Sequence, residues 1–209
     1  MKYGLFLFFS FAIISISIAQ EAEQAKVREA FENYKNSILT DKGNEAVNWV
    51  DSNTLNYYSE MLEVTKHADS LEVNNLGILD KMMVFTIRAR TSRQDILSFD
   101  AKKLLEYSIN EGMVGKSSVQ NLDIDTPKIS ENKASVQVIT NGQTIPISFG
   151  FQKENGTWKI DLTSIFPTSE EALKNVQESS GKGENEFIIW ILEMTMNAEI
   201  GNEIWQKVE

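Results

Sequence analysis

The stretch ASVQVITNGQTIPISFGFQKENGTWKIDL, residues 134–162, decides the fold. Its apolar side chains recur at every second position: Val136 and Val138, then Ile145, Ile147, Phe149 and Phe151, then Trp158, Ile160 and Leu162. A period of two marks a strand with one buried face. Asn141-Gly142 and Asn155-Gly156 divide the stretch into three runs. Asn-Gly suits the two-residue hairpin turn, because both central residues must adopt positive φ. Upstream, Val119–Asp125 alternates too, with Leu122 and Ile124 opposite Asp123 and Asp125. Residues from Ser117 to about Ile165 therefore predict a meander of about four antiparallel strands with one apolar face, which another layer must cover.

Outward from the meander the period becomes helical on both sides. Val27, Phe31, Tyr34 and Ile38 form one stripe, broken at Asp41-Lys42-Gly43-Asn44. Ser52 or Asn53 is positioned to cap a second helix bearing Leu55, Tyr58, Leu62 and Thr65. A third run, about Leu76–Arg90, is apolar around much of its circumference and should be the most buried. Ser92 with Asp95 resembles a capping box, and Asp100 opens Ala101–Asn110, whose Leu104, Leu105 and Ile109 face inward. Gly112 and Gly115 end the helical part. After the meander, Pro167 stops the sheet, and Thr168 with Glu171 reads as another capping box. Residues 179–183 read as a linker, and Phe187–Trp205 as a last helix. The expected fold class is α+β: N-terminal helices packed on one face of a roughly four-stranded antiparallel meander, followed by a C-terminal helical extension. The expected units are 20–166 and an acidic extension, 167–209.

Residues Met1–Ala19 read as a secretory signal peptide. Lys2 supplies the positive start, Leu5–Ile18 the apolar run, and Ser17-Ile18-Ala19 the small residues before cleavage. That run is shorter than the roughly 20 residues needed to span a bilayer, and no further run of that kind follows. The mature chain is therefore expected to lack a transmembrane segment and to be periplasmic or extracellular. Losing Lys2 moves the formal charge from −10 to −11, and the last fifth of the chain carries over half of it. So acidic a balance argues against nucleic-acid binding, which needs phosphate-neutralising cations. Zero cysteines exclude disulfides and thiolate chemistry, and the single histidine, His67, excludes a multi-histidine metal site. No cofactor motif is present, so no metal and no cofactor are expected.

The signal peptide, the N-terminal helices and the closing Phe149–Leu162 hairpin together resemble exported bacterial proteins of the nuclear-transport-factor-like superfamily. That is the α+β cone fold related to ketosteroid isomerase and scytalone dehydratase. The resemblance covers roughly residues 117–165. It implies a curved sheet wrapped around a long helix, with an apolar pocket. It implies no particular activity, since the family holds both enzymes and non-catalytic binding domains. This chain departs from the family pattern in its extra N-terminal helix and its acidic helical C-terminus. No family catalytic motif maps onto it.

Several residues are candidates for a site. His67, at the end of the second helix, is either a general base oriented by Asp69 or Asp51, or a residue that caps the helix C-terminus. Tyr57 is either a hydrogen-bond donor to a ligand or a packing residue, with Tyr58 on the core stripe. Asp123 and Asp125, about 7 Å apart on one strand face, have the spacing of a glycosidase pair but lie on the polar side. Arg88, Arg90 and Arg93 cluster near a helix end, as an anion site or a dock for the acidic tail. Trp190 sits in the run Phe187–Leu192, too apolar for one stripe to hide, so 187–205 is a candidate surface for a partner or for homo-oligomerisation. Three functions remain open. The first is an exported non-catalytic accessory domain binding a small apolar ligand or a protein. The second is a small pocket enzyme of isomerase or dehydratase style, using His67, Tyr57 and Asp69. The third is an interaction protein acting through its last helix.

Overall fold

A computed structural model describes the backbone of residues 4–209 and the side chains from Ala19 onward. The signal peptide expected over residues 1–19 lies outside these side chains, apart from Ala19. The chain is α+β, as expected. Helices α1 (Gly4–Leu39), α2 (Gly43–Ala46), α3 (Ser52–His67), α4 (Ser70–Asn74), α5 (Ile78–Arg90), α6 (Arg93–Ser98) and α7 (Ala101–Asn110) precede the sheet. Strands β1 (Leu122–Ile124), β2 (Lys128–Ser130), β3 (Lys133–Thr140), β4 (Gln143–Glu154) and β5 (Thr157–Asp161) follow, then α8 (Phe166–Ser180) and α9 (Glu184–Met196).

The curled sheet is antiparallel in the order β1-β3-β4-β5, and β2 shares the outer edge of β3 with β1. β1 pairs with Val138–Thr140 and β2 with Lys133–Ser135, so the two lie end to end along one neighbour. The break between them contains Pro127, which has no N–H to give to a ladder. β2 adds a strand beyond the expected four, and its three residues with one half-buried side chain carry almost no periodic signal. Both Asn-Gly turns have the expected positive φ at both residues: 50° and 76° at Asn141-Gly142, 50° and 82° at Asn155-Gly156. Along β3 the side chains alternate as expected, with Ala134, Val136 and Val138 buried.

Helix α1 covers the apolar face. Val27, Ala30, Phe31, Tyr34 and Ile38 are buried in one cluster with Val136, Val138, Phe149, Phe151, Trp158 and Ile160. Polar ties fix its placement. Glu23 accepts hydrogen bonds from Lys153 Nζ at 2.6 Å and from Trp158 Nε1 at 2.7 Å. Arg28 donates to Asp123 and to the Ile124 carbonyl, and Lys35 donates to the Leu122 carbonyl. The far edge of the sheet is closed by Trp49–Asp51. Ile160 N–H donates to the Trp49 carbonyl at 2.8 Å, and Asp51 N–H donates to the Ile160 carbonyl at 3.0 Å. α2 meets α7 at Gly43, where a Cβ would collide with the Glu106 carbonyl.

A second apolar cluster lies on another face of α5. It joins Val73, Ile78, Val84 and Phe85 to Phe187, Ile188, Leu192 and Ile204. Helix α5 is thus shared by both clusters, with Ile87 in the first and Val84 and Phe85 in the second, which accounts for its apolar circumference. Buried Lys81 donates to Glu184 at 2.5 Å and to Asn185 at 3.1 Å, fastening the start of α9 to α5.

The structure corrects several local expectations. Asp51, rather than Ser52 or Asn53, caps α3, its carboxylate accepting from Thr54 N–H. Pro167 opens a helix and does not end the sheet: β5 stops at Asp161, a short turn covers Leu162–Ile165, and α8 starts at Phe166 with the proline in its first turn, where no N–H is needed; Thr168 is not its cap. The last helix does not run from Phe187 to Trp205. It starts at Glu184 and ends at Met196, because Asn197 takes the left-handed conformation at φ 51°. A separate short turn covers Asn202–Trp205.

Candidate functional site

Helices α3, α5 and α7, the Met113-Val114 segment after α7, and the first residue of α8 surround an apolar pocket of about 310 Å³. That volume lies at the lower end of the range of small-molecule sites. No strand contributes to its wall. Tyr57 and Tyr58 come from α3, and Leu79, Met82, Met83, Thr86 and Ile87 from α5. Ser108 comes from α7 and Phe166 from α8. The pocket lies at the seam of the two clusters: Met83 packs against the sheet-side cluster and Met82 against the other. Three methionines give the wall unbranched, polarizable side chains that adapt to a guest's shape.

The polar atoms of the wall are largely committed. Thr86 Oγ1 donates to the Met82 carbonyl at 2.7 Å, and Ser108 Oγ donates to the Leu104 carbonyl at 2.8 Å. The Tyr57 hydroxyl donates to Asp80 at 2.8 Å, and its ring lies 4.6 Å from that of Phe166. Burial pushes the Tyr57 hydroxyl well above the ordinary phenol range, and the hydrogen bond to Asp80 adds to the effect. Burial pushes the Tyr58 hydroxyl up to about 12. A phenol is protonated near neutral pH even at its ordinary value, and burial only deepens this, so both act as hydrogen-bonding groups, not bases. No charged side chain lines the pocket. Such a wall suits a neutral, mainly apolar molecule.

The residues singled out in the sequence do not converge on this pocket, with the exception of Tyr57. His67 is exposed at the end of α3, ten residues from Tyr57 and so about 15 Å along the helix axis. Its Nδ1 lies 3.1 Å from Glu209 and its Nε2 3.4 Å from Glu63. Asp69 does not orient it. The Asp69 carboxylate caps α4, accepting from the Leu71 and Glu72 N–H groups, with Glu72 closing the capping box. The backbone hydrogen bond from Glu72 leads in holding its carboxyl below the usual range. Asp51, the other suggested partner, is buried beside β5.

The arginines are dispersed. Arg88 sends its guanidinium to the carbonyls of Thr65 at 3.0 Å, Ala68 at 2.7 Å and Ile204 at 2.9 Å. It clamps the end of α3 to the C-terminal turn and meets the acidic tail through a carbonyl, not a carboxylate. Arg90 donates to the Glu111 carbonyl, and Arg93 is exposed in the first turn of α6. Asp123 pairs with Arg28 at 2.9 Å, whereas Asp125 bonds the Thr126 N–H, so the two do not face a common substrate. Trp190 is 40% exposed and Met194 63% exposed, one turn apart on α9.

The sequence missed Met82, Met83, Met113 and Phe166 as a pocket wall. They belong to three separate segments, and each reads as ordinary core on its own. The one available signal was the apolar circumference of α5, which promised more contact surface than a single core could use.

Among the described residues, no group of three or more His, Asp or Glu side chains is placed to hold a metal ion, and no helix is long and apolar enough to cross a membrane. Comparison with protein-family models, with curated proteins and with solved structures returns no match to this chain.

Proposed function

We propose that this is an exported, non-catalytic binding protein whose guest is a small, neutral, mainly apolar molecule held between α3, α5 and α8. The observation that carries the reading is the Tyr57–Met83–Phe166 pocket: about 310 Å³, apolar, and without a charged wall residue. Acid–base chemistry of the isomerase kind would need a proton acceptor poised near neutral pH beside the guest. The sole histidine lies outside this pocket. Export rests on Lys2, the apolar run after it and Ser17-Ile18-Ala19. Membership of the nuclear-transport-factor-like superfamily rests on the Phe149–Leu162 hairpin and on the long helix against the curled sheet, and is proposed on the same footing.

Titration with N-phenyl-1-naphthylamine, a neutral apolar fluorophore, tests the binding reading. Saturable emission at one probe per chain is expected, and Met83→Trp, which fills the pocket, should abolish it while the fold is retained. Absence of saturable binding, or binding unchanged in the filled variant, contradicts the reading.

A second reading has a specific observation in its favour. Trp190 and Met194 leave an apolar strip exposed on α9, which suits self-association. Light scattering should then show a dimer that Trp190→Glu dissociates. A monomer across the accessible concentration range contradicts it.

A further inference from the structure

Away from the Tyr57 pocket, the C-terminal half of α1 and the segment through α2 bound a cleft of about 430 Å³ of different character. Asn33 and Asn36, three residues apart on α1, present their amides on one face. Neither side chain has a hydrogen-bond partner among the described residues, and each offers both a carbonyl oxygen and an NH₂ group. Trp49 forms another part of the wall. Trp49 is partly buried against the sheet-side core, and its carbonyl is held at 2.8 Å by Ile160 N–H, which anchors its main chain at the sheet edge. The indole N–H also has no partner among the described residues. The charged lining residues, Lys42 and Glu45, pair with each other at 2.9 Å and cancel. Thr40 Oγ1 donates to the Asn36 carbonyl at 2.8 Å and keeps its lone pairs for an incoming donor.

The cleft therefore combines an aromatic edge with uncommitted neutral donors and acceptors and no net charge. An apolar guest would strand the two amides, at a desolvation cost for each. An ion would find no uncancelled countercharge. A molecule with adjacent hydroxyls, each both donor and acceptor, over a C–H face matches the chemistry of these groups. We propose that this cleft is a saccharide site, taking a neutral mono- or disaccharide with Trp49 against the sugar ring and Asn33 and Asn36 bonded to its hydroxyls. This proposal is independent of the apolar guest assigned to the Tyr57 pocket.

The test is an NMR titration of the full mature chain, labelled with ¹⁵N, using maltose and N,N′-diacetylchitobiose as probes. Saturating shifts of the Trp49 indole N–H and of the Asn33 and Asn36 NH₂ resonances are expected with at least one sugar, with a dissociation constant on the order of 1 mM. The double variant Asn33→Ala, Asn36→Ala should weaken that binding at least tenfold. Its thermal midpoint and its binding of N-phenyl-1-naphthylamine should not change, which separates loss of the site from loss of the fold. No shift at the Trp49 indole with either sugar up to about 50 mM, or shifts that persist undiminished in the double variant, overturns the proposal.

Discussion

The two apolar clusters of this protein are built by different means. On the sheet side, long elements with regular periods meet: one stripe of α1 lies on alternating residues of β3, β4 and β5, and Trp158 and Phe31 are almost wholly enclosed. On the other side, short pieces gather around α5. α4, α9 and the C-terminal turn are held in part by a few polar ties: Lys81 and the Asn185–Asn74 pair at the start of α9, and Arg88 with the Lys66 carbonyl at the C-terminus. The first kind of core resists local opening because each element touches many others across the chain. The second, built of short elements, is expected to open in part without dissolving the first. The pocket lies where the two meet, and α5, common to both, gives more of its wall than any other element.

Cutting each core at a large, enclosed aromatic residue is the strongest way to break this contrast. Trp158→Ala should cost about 4 kcal/mol and unfold the chain as a whole. Phe187→Ala should cost about 3 kcal/mol, but hydrogen exchange should rise first in α9 and the C-terminal turn while β3 and β4 stay protected. Uniform loss of protection in Phe187→Ala would show that the two cores are one cooperative unit. Arg88→Met should cost about 2 kcal/mol by leaving carbonyls of α3 and of the C-terminal turn without their donor. Limited proteolysis should then cut after residue 196 well before the sheet is touched.

Smaller effects sharpen the sheet side. Hydrogen bonds from Lys153, Lys26 and Trp158 lower the Glu23 carboxyl from 4.5 to about 2. Its ionised form is favoured by folding, so the stability it adds is present above about pH 4.5 and is lost as pH falls toward 2. Glu23→Gln should cost about 1 kcal/mol near neutral pH and flatten the acid limb of the stability curve over that window. Asp51 is the opposite case. It is fully buried, one carboxylate oxygen has no partner, and burial raises its pKa, opposed by the hydrogen bond from Thr54. Its contribution is present below the unfolded value near 3.8 and is lost as pH rises through the folded value. Asp51→Asn keeps a capping oxygen and removes the buried charge, so it should stabilise the protein at pH 7 by roughly 1 kcal/mol, with less gain in acid. Calorimetry across pH checks both signs.

The same contrast decides how much could be read from the chain. The sheet was legible because period two and paired Asn-Gly turns are local signals, and Val136, Phe149 and Trp158 each lie where that alternation places them. The α1 stripe was legible for a similar reason. The tail was not: Asn197 ends α9 through a left-handed backbone that no apolar period announces, and β2 owes its existence to its neighbour β3. The site was less legible still. Tyr57 was the one pocket residue singled out as a site candidate, because a paired tyrosine on a helix is visible locally. Met113 and Phe166 reach the same pocket only through long-range packing. His67, Arg88 and Asp69 drew attention by residue type. Their geometry is that of an exposed helix end, a carbonyl clamp and a helix cap.

The central claim is that the seam between the two cores receives a neutral apolar guest. Hydrogen exchange followed by mass spectrometry, with and without saturating N-phenyl-1-naphthylamine, addresses it most directly. Slowed exchange in segments 57–62, 79–87 and 108–114 is predicted, together with slower opening of α9 through α5. Protection confined to other segments, or none at saturation, would contradict the account.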